Sequence, residues 1–163
     1  MNMNDYFKQA MEILPSGAFL TTKNGDKINT MTIGWGNFGF VWGMPIFEAL
    51  VRESRFSKAL MDESAEFTVT FPFGNDMKEA LGFCGTKSGR DFDKIKECNL
   101  SVLPAHKIST PVINCHGIVI ECKVVAKLDI DENALSDEVL GKWYKNGDFH
   151  TIYYAKIEDA YEI

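Results

Sequence analysis

The sequence lacks the features that mark secreted, membrane and nucleic-acid-binding proteins. Met1 to Leu14 contain no basic stretch followed by an apolar run, so we expect no secretory signal there. Gly and Pro interrupt the longest apolar stretch, residues 38–51, and nothing approaches the ~20 apolar residues of a membrane-spanning helix. Lys and Arg number 17 against 23 Asp and Glu, a net charge of −6, whereas proteins that bind a phosphate backbone are usually basic. We therefore expect neither a membrane nor a nucleic acid as a partner.

Cysteine is sparse, with four residues at positions 84, 98, 115 and 122 and no Cys-x-x-Cys pair. This usage is typical of reduced thiols and predicts a cytoplasmic protein. Cys115, His116 and Cys122 could be considered as zinc ligands. His116 and Cys122 are six residues apart on a predicted strand, a span of ~20 Å, whereas zinc ligands all lie within ~2.3 Å of the metal. We predict no metal site.

The length of 163 residues corresponds to a single domain, 1–163. Short runs of alternating apolar and polar residues predict strands, and Asn24-Gly25 between two of them predicts a hairpin. Predicted strands cover 19–22, 28–33, 46–51, 67–71, a long segment within 112–130, and 151–157. Predicted helices cover 5–14, 54–62 with Ser54 as N-cap, 76–83, 91–97 and the region around 136–142. Together these elements predict a mainly antiparallel β-barrel with short peripheral helices.

Two glycine-rich segments imitate nucleotide-binding motifs. Residues 34–39 match G-x-G-x-x-G, but the dinucleotide fingerprint needs a helix directly afterwards. The following segment, 40–45, contains Gly43 and Pro45 and cannot form one, so these glycines are expected to serve a bend between strands. Residues 82–88 lack the spacing of a P-loop, and no G-x-S-x-G nucleophile motif is present.

Two other segments carry basic and hydroxyl side chains immediately before predicted helices. They are Val-Arg-Glu-Ser-Arg-Phe-Ser at 51–57 and Lys-Ser-Gly-Arg-Asp-Phe-Asp-Lys at 87–94. Helix N-terminal N–H groups, serine hydroxyls and a guanidinium together form a suitable cradle for a phosphate. The alternative is that the serines are helix caps and the arginines a solvated face. The presence of both segments, with Trp35 and Trp42 nearby in sequence, favours an aromatic ligand that carries a phosphate.

Seven short motifs, taken in their order along the chain, resemble those of a known family. They are Asn-Thr-Met-Thr-Ile-Gly-Trp at 29–35, Trp42 with Pro45, the segment 51–57, Glu-Phe-Thr-Val at 66–69, Ser-Gly-Arg-Asp with Asp93 and Lys94, Glu-Cys at 121–122, and His-Thr-Ile-Tyr-Tyr at 150–154. The chain, from about residue 15 onward, is similar to the flavin reductase-like, FMN-binding split-barrel family, within its flavoredoxin-like branch. The resemblance implies a split β-barrel homodimer with FMN at the subunit interface.

The resemblance also implies roles for individual residues. The isoalloxazine edge and ribityl chain would contact Asn29, Thr30, Met31 and Thr32, and Trp35 would line the ring. The phosphate and ribityl chain would be surrounded by Arg52, Ser54, Arg55, Phe56 and Ser57, with Ser88, Arg90 and Lys94 as a further polar layer. His150 would lie near the flavin as the catalytic residue. Ser57 stands where the family often has Thr, and Phe149 separates Gly147-Asp148 from His150.

Three functions are compatible with these expectations. The first is an FMN-dependent oxidoreductase that takes electrons from NAD(P)H and passes them to flavin or another acceptor. The second is a flavoredoxin-type electron carrier, reduced by a partner protein and without its own nicotinamide site. The third is a module that binds a phosphate ligand without redox chemistry. Flavin performs the redox chemistry itself, so the first two need no protein nucleophile.

Overall fold

The structure, a computed structural model, describes residues 2–163 as one large antiparallel sheet with short helices around it. The helices are α1 (Met3–Ile13), α2 (Phe56–Ser64), α3 (Lys78–Thr86), α4 (Lys94–Glu97) and α5 (Asp137–Trp143). The strands are β1 (Ala18–Asn24), β2 (Lys27–Ile33), β3 (Gly36–Val41), β4 (Met44–Arg52), β5 (Glu66–Pro72), β6 (Val102–Leu103), β7 (Val112–Ile113), β8 (Gly117–Asp129) and β9 (His150–Glu162). Short 3₁₀ turns follow α1 and precede α5.

Seven strands form the main sheet in the order β2-β1-β5-β8-β9-β4-β3, and each neighbouring pair is antiparallel. The edge strand β2 approaches β4 near the opposite edge, without strand pairing between them among the described residues. The sheet therefore curls into a barrel that is open along one seam. This confirms the predicted mainly β split barrel with peripheral helices.

The core lies inside the curled sheet. Alternate residues of each strand point to the same face, and apolar side chains occupy the positions that face inward. Phe67, Val69 and Phe71 of β5 pack there with Ile118 and Ile120 of β8, and all five are fully buried. A second, smaller apolar cluster lies under α3 and contains Phe19, Leu81, Cys84, Ile113 and Cys115. Between residues 2 and 163 no helix combines the length and apolar character needed to cross a membrane.

Several local predictions were incomplete or wrong. The helix predicted at 91–97 covers only Lys94–Glu97, and the short strand β6 was not predicted. Strand β3 was not predicted, because its glycines were assigned to a bend. In the structure Gly36 starts this strand, and a Cβ there would lie 2.7 Å from the Phe47 ring, so the close approach to β4 requires glycine. Ser54 does not cap α2. The N-cap is Arg55, no side chain caps the helix, and Ser54 instead bonds to Asp148.

Candidate functional site

Two adjoining clefts lie where the end of β4, the start of α2, the end of α3 and the start of β9 meet beside β2. The first, named here the hydroxyl cleft, has a volume of about 180 Å³ and is lined by residues 54–57, residues 86–89 and Lys94. The second, the aromatic cleft, has a volume of about 240 Å³ and is lined by residues 31–35, Leu50, Arg52, Arg55, Gly85 and His150. Arg55 lines both, so the two clefts are neighbouring compartments of one candidate site.

Arg55 is fixed between the clefts by the C-terminal end of α3. Its Nη1 donates to the Gly85 carbonyl at 2.7 Å and its Nη2 donates to the Cys84 carbonyl at 2.9 Å. Burial is the main reason why the pKa of Arg55 is lowered from its ordinary value. A guanidinium has five N–H donors, so these two bonds orient the group and leave further donors for an anion in either cleft.

The start of α2 forms one wall of the hydroxyl cleft. Because no side chain caps this helix, its first-turn N–H groups lack an internal anionic or hydroxyl acceptor, and such groups attract anions. Ser57 is buried in that first turn, and its Oγ accepts a hydrogen bond from Asn29 Nδ2 at 2.8 Å. The opposite wall approaches closely at Gly89, where a Cβ would lie 2.1 Å from the Asn29 amide oxygen. Glycine is therefore required to bring this loop against β2.

Lys94 is a buried cation at the base of the hydroxyl cleft. Its side chain is 3% exposed and its Nζ donates to the Cys84 carbonyl at 3.0 Å. Burial, followed by the nearby Arg55 charge, lowers the pKa of Lys94 to about 8. Two cations held this close are unfavourable in the absence of a counter-ion. The arrangement therefore favours binding of an anion in the cleft, and Lys94 is not a solvated surface charge.

Asp148 organises the rim shared by the two clefts. Its carboxylate accepts hydrogen bonds from the Ser54 N–H at 2.9 Å and from the Ser54 hydroxyl at 2.6 Å. Arg52 Nη1 donates to the Asp148 carbonyl at 2.8 Å, and Nη2 donates to the Trp143 carbonyl at 3.4 Å. Arg52 therefore ties the segment between α5 and β9 to the end of β4, and only part of its fork remains for a ligand.

His150 lies in the wall of the aromatic cleft and is 7% exposed. Its Nδ1 is 2.7 Å from the Tyr144 hydroxyl. Burial, and then the Arg52 charge, lowers the pKa of His150 to about 4, so the ring is neutral at neutral pH. Burial also raises the pKa of Tyr144, which keeps its hydroxyl protonated. Either group can donate in this pair, and when the Tyr144 hydroxyl donates to Nδ1, the neutral ring carries its proton on Nε2.

Trp35 lines the aromatic cleft and is supported by neighbouring aromatic side chains. Trp35 packs against Trp143 with ring centroids 4.9 Å apart in an edge-on arrangement, and against His150 at 5.1 Å. Both tryptophans remain partly exposed. Trp35, Met31 and Leu50 offer an apolar lining, whereas Arg52, Arg55 and His150 supply polar groups.

The structure brings together most of the residues predicted to bind a cofactor. Those that line one of the two clefts are Met31, Thr32, Trp35, Arg52, Ser54, Arg55, Phe56, Ser57, Ser88, Lys94 and His150. The others, Asn29, Thr30 and Arg90, line neither cleft. Asn29 supports Ser57 from behind, and the Thr30 hydroxyl is engaged with β1 through Leu20 and Thr21. Arg90 lies over the Phe56 ring and donates to the Ser54 carbonyl.

Sequence reasoning missed several residues that shape the site, among them Leu50, Gly85, Tyr144 and Asp148. Of these four, only Asp148 carried a local signal, because Asn146-Gly147-Asp148 is a turn-forming run; in the structure Gly147 and Asp148 both have positive φ. The predicted absence of zinc ligation concerned Cys115, His116 and Cys122. Cys122 lies in the main core and Cys115 in the second cluster, so these side chains are not gathered at one point.

A separate group of potential ligand atoms, from His106, Glu121 and Asp159, lies within 4.8 Å. Glu121 is fully buried and accepts hydrogen bonds from the His106 and Lys107 N–H groups and from the Tyr161 hydroxyl. These bonds occupy both of its carboxylate oxygens. The group therefore fastens the loop at 106–107 to β8 and β9.

Comparison with known proteins agrees with this architecture. The profile of the Flavin reductase like domain matches residues 11–163. A flavoredoxin from Methanosarcina acetivorans is similar with a TM-score of 0.70 at 23% identity, covering 90% of this chain and 68% of that one. An FMN-binding protein from Thermus thermophilus is similar with a TM-score of 0.67 at 19% sequence identity, and the match covers 90% of this chain and 69% of that chain. An NADH:FAD oxidoreductase from Streptomyces globisporus C-1027 is similar with a TM-score of 0.67 at 15% sequence identity, and the match covers 90% of this chain and 75% of that chain. At these identities the structural likeness establishes the fold.

Proposed function

The chain belongs to the flavin reductase like domain family, and from this membership we propose that it is an FMN-binding oxidoreductase that accepts electrons from NAD(P)H and passes them to flavin or another acceptor. Among the similar structures, one is described as FMN-binding and another as an NADH:FAD oxidoreductase. Both descriptions are compatible with the same use of the two clefts in this chain.

The observation that carries the proposal is the division of the site into two compartments joined at Arg55. The hydroxyl cleft offers a basic, hydroxyl-rich lining and an uncapped helix start, which is the donor set that a phosphate requires. The aromatic cleft offers apolar and aromatic surface with polar groups at its margin, which suits a flat heteroaromatic ring. FMN has both parts on one molecule, so the residues present fit this cofactor.

In this proposal each part of the chain has a separate task. Ser57, Ser88 and Lys94 hold the phosphate, and Arg55 spans the junction with the ribityl chain. Trp35 packs against the ring and excludes water from it. FMN, when bound, supplies the hydride and single-electron chemistry. Neutral His150 presents its Nε2 proton as a hydrogen-bond donor at the cleft, and Tyr144 fixes that tautomer from the opposite side of the imidazole ring.

We also propose that the protein is a homodimer. The hairpin of β3 and β4 exposes Phe40 and Trp42 at 75% and 61% of their surface, and aromatic side chains are enriched in protein interfaces. Light scattering at FMN saturation is expected to give the mass of two chains. A mass near one chain would contradict this part of the proposal.

One spectroscopic experiment tests the proposed function. The purified protein, after incubation with FMN and desalting, should show flavin absorbance, and anaerobic NADH or NADPH should bleach it rapidly. Bleaching only by a reduced carrier protein would instead identify the flavoredoxin-type carrier. A protein that remains colourless and takes up no FMN would refute both. Arg55→Ala should reduce the amount of FMN retained. Lys96→Met, a control at an exposed position, should leave that amount unchanged.

A further inference from the structure

Three of the four cysteines, Cys84, Cys98 and Cys115, meet at the small apolar cluster under α3. Cys84 is fully buried near the end of α3, and the partly exposed Cys98 packs against the same small apolar cluster. Cys98 follows Lys94 by one helical turn, and its N–H donates to the Lys94 carbonyl at 3.1 Å. Residues four apart share one face of a helix. Cys98 therefore extends from the face of α4 on which Lys94 reaches the Cys84 carbonyl.

The other cysteines do not belong to this pair. Burial first, and then the adjacent Cys98 thiol, raises the pKa of Cys84 to about 12. Burial alone raises the pKa of Cys115 to about 11, with no contribution from another sulfur. Cys122 is fully buried in the main core on β8. Lys94 ties α4 to the Cys84 carbonyl, and Cys98 at the end of α4 packs against the cluster that contains Cys84. This geometry places Cys98 to react with Cys84, and Cys98 is the one of the two that an external reagent can reach.

We propose that Cys84 and Cys98 form a reversible disulfide by exchange with an oxidised low-molecular-weight thiol, and that this oxidation weakens phosphate binding in the hydroxyl cleft. The second half rests on the proposed function. In the first step the Cys98 thiolate attacks one sulfur of the external disulfide, forms a mixed disulfide and releases one thiolate. The released thiolate takes the proton of Cys84, whose sulfur then attacks the Cys98 sulfur of the mixed disulfide, forms the Cys84–Cys98 bond and displaces the second external thiolate. Two protein thiols are oxidised, and one external disulfide is reduced to two thiols.

The coupling to the cleft follows from what the Cys84 backbone holds. Its carbonyl accepts hydrogen bonds from both Arg55 and Lys94, the two cations of the site. A sulfur–sulfur bond is only ~2.05 Å long, shorter than any contact between non-bonded sulfur atoms. Closing it draws the end of α4 towards α3 and shifts Lys94 relative to the phosphate. Loss of one charge-assisted hydrogen bond corresponds to roughly a tenfold or greater weakening of binding.

The test compares the wild-type protein with Cys98→Ser, Cys84→Ala and, as a matched control from the same apolar cluster, Cys115→Ser. Each is equilibrated with oxidised and reduced glutathione, the free thiols are alkylated, and peptides are mapped by mass spectrometry. We expect a peptide linking Cys84 to Cys98, with loss of two hydrogen atoms, in wild type and Cys115→Ser only. Oxidised wild type should bind FMN about tenfold more weakly than reduced protein, riboflavin affinity should change less than about twofold, and dithiothreitol should restore both.

The outcomes separate the two proposals. Absence of the linked peptide in excess oxidised glutathione overturns the disulfide, and a linked protein with unchanged FMN affinity overturns the coupling. Both measurements use folded wild-type protein, so a variant that fails to fold does not decide the result. If reduced wild type binds no FMN, the proposed function and the coupling both fail, while peptide mapping still decides whether the thiol pair is redox-active.

Discussion

Lys94 provides a test of the phosphate site that depends on pH. Its pKa in the free protein is lowered to about 8, first by burial and then by Arg55, from an ordinary value of about 10.5. A phosphate dianion bound in the hydroxyl cleft would stabilise the charged form and raise the pKa again. Binding of FMN above pH 8 therefore has to be accompanied by uptake of a proton, so we expect the affinity to fall as the pH rises.

The magnitude follows from the two pKa values. If the bound-state pKa returns to about 10.5, the dissociation constant for FMN should change little between pH 6.5 and 7.5 and should be roughly 30-fold higher at about pH 9.5. Riboflavin has the same ring but no phosphate. Its dissociation constant should follow a much flatter profile, which removes any contribution from titration of the ring or of His150.

Fluorescence quenching of FMN and riboflavin across this pH range measures the effect. Lys94→Met should weaken FMN binding at pH 7 and abolish the slope above pH 8. Lys96→Met, on the exposed side of the same helix, is the matched control and should retain both the affinity and the slope. A flat FMN profile in wild type, or an equal slope for riboflavin, would refute the assignment of Lys94 to the phosphate.

Three further predictions concern neighbouring residues. Arg55→Ala should weaken FMN binding by roughly 10- to 150-fold, because it removes a charge-assisted hydrogen bond worth about 1.5–3 kcal/mol. The loss should be smaller for riboflavin, and Arg55→Lys should recover part of the FMN affinity. Calorimetric titration measures both affinities, and equal losses for the two ligands would indicate damage to the fold. Gly89→Ala should lower the free energy of unfolding in urea by about 1–3 kcal/mol because its Cβ would overlap Asn29, whereas Gly82→Ala, with open space around it, should cause no loss. The pKa of His150 in the folded protein, about 4, lies below its ordinary value of 6.5. The contribution of neutral His150 to the free energy of unfolding is therefore complete above pH 6.5 and is lost as the pH falls towards 4. In urea unfolding, His150→Gln should lose up to roughly 3 kcal/mol less stability than wild type over this pH range.

The sequence was most informative where chemistry and local structure coincide on a short segment. Segments 51–57 and 87–94 each combine hydroxyl and basic residues with a helix start, and both meet at the hydroxyl cleft. The hairpin predicted from Asn24-Gly25 is present: Asn24 ends β1 and pairs with Lys27, and the two-residue turn is Gly25-Asp26, in which Gly25 has a positive φ. Strand alternation predicted β5 and most of β8 correctly.

Features that depend on distant segments could not be predicted from local patterns. Ser54 is followed by a helix and therefore resembles an N-cap, but its actual acceptor, Asp148, lies 94 residues further along the chain. Residues 29–32 were all assigned to the ligand, although successive side chains of a strand alternate between its two sides. Thr30 accordingly bonds within the sheet. The Cys84–Cys98 contact also requires the packing of two separate helices.

The position of β9 in the sheet has a consequence for how the protein is made on the ribosome. This strand comes last in the sequence order of the elements but lies between β8 and β4. Until residues 150–162 leave the exit tunnel, the nascent chain has two sheet fragments, β2-β1-β5-β8 and β4-β3, with unpaired facing edges. Such edges are templates for pairing with other chains. A pause in translation before residue 150 should therefore expose the nascent chain to aggregation and make it a client for chaperones that bind extended segments.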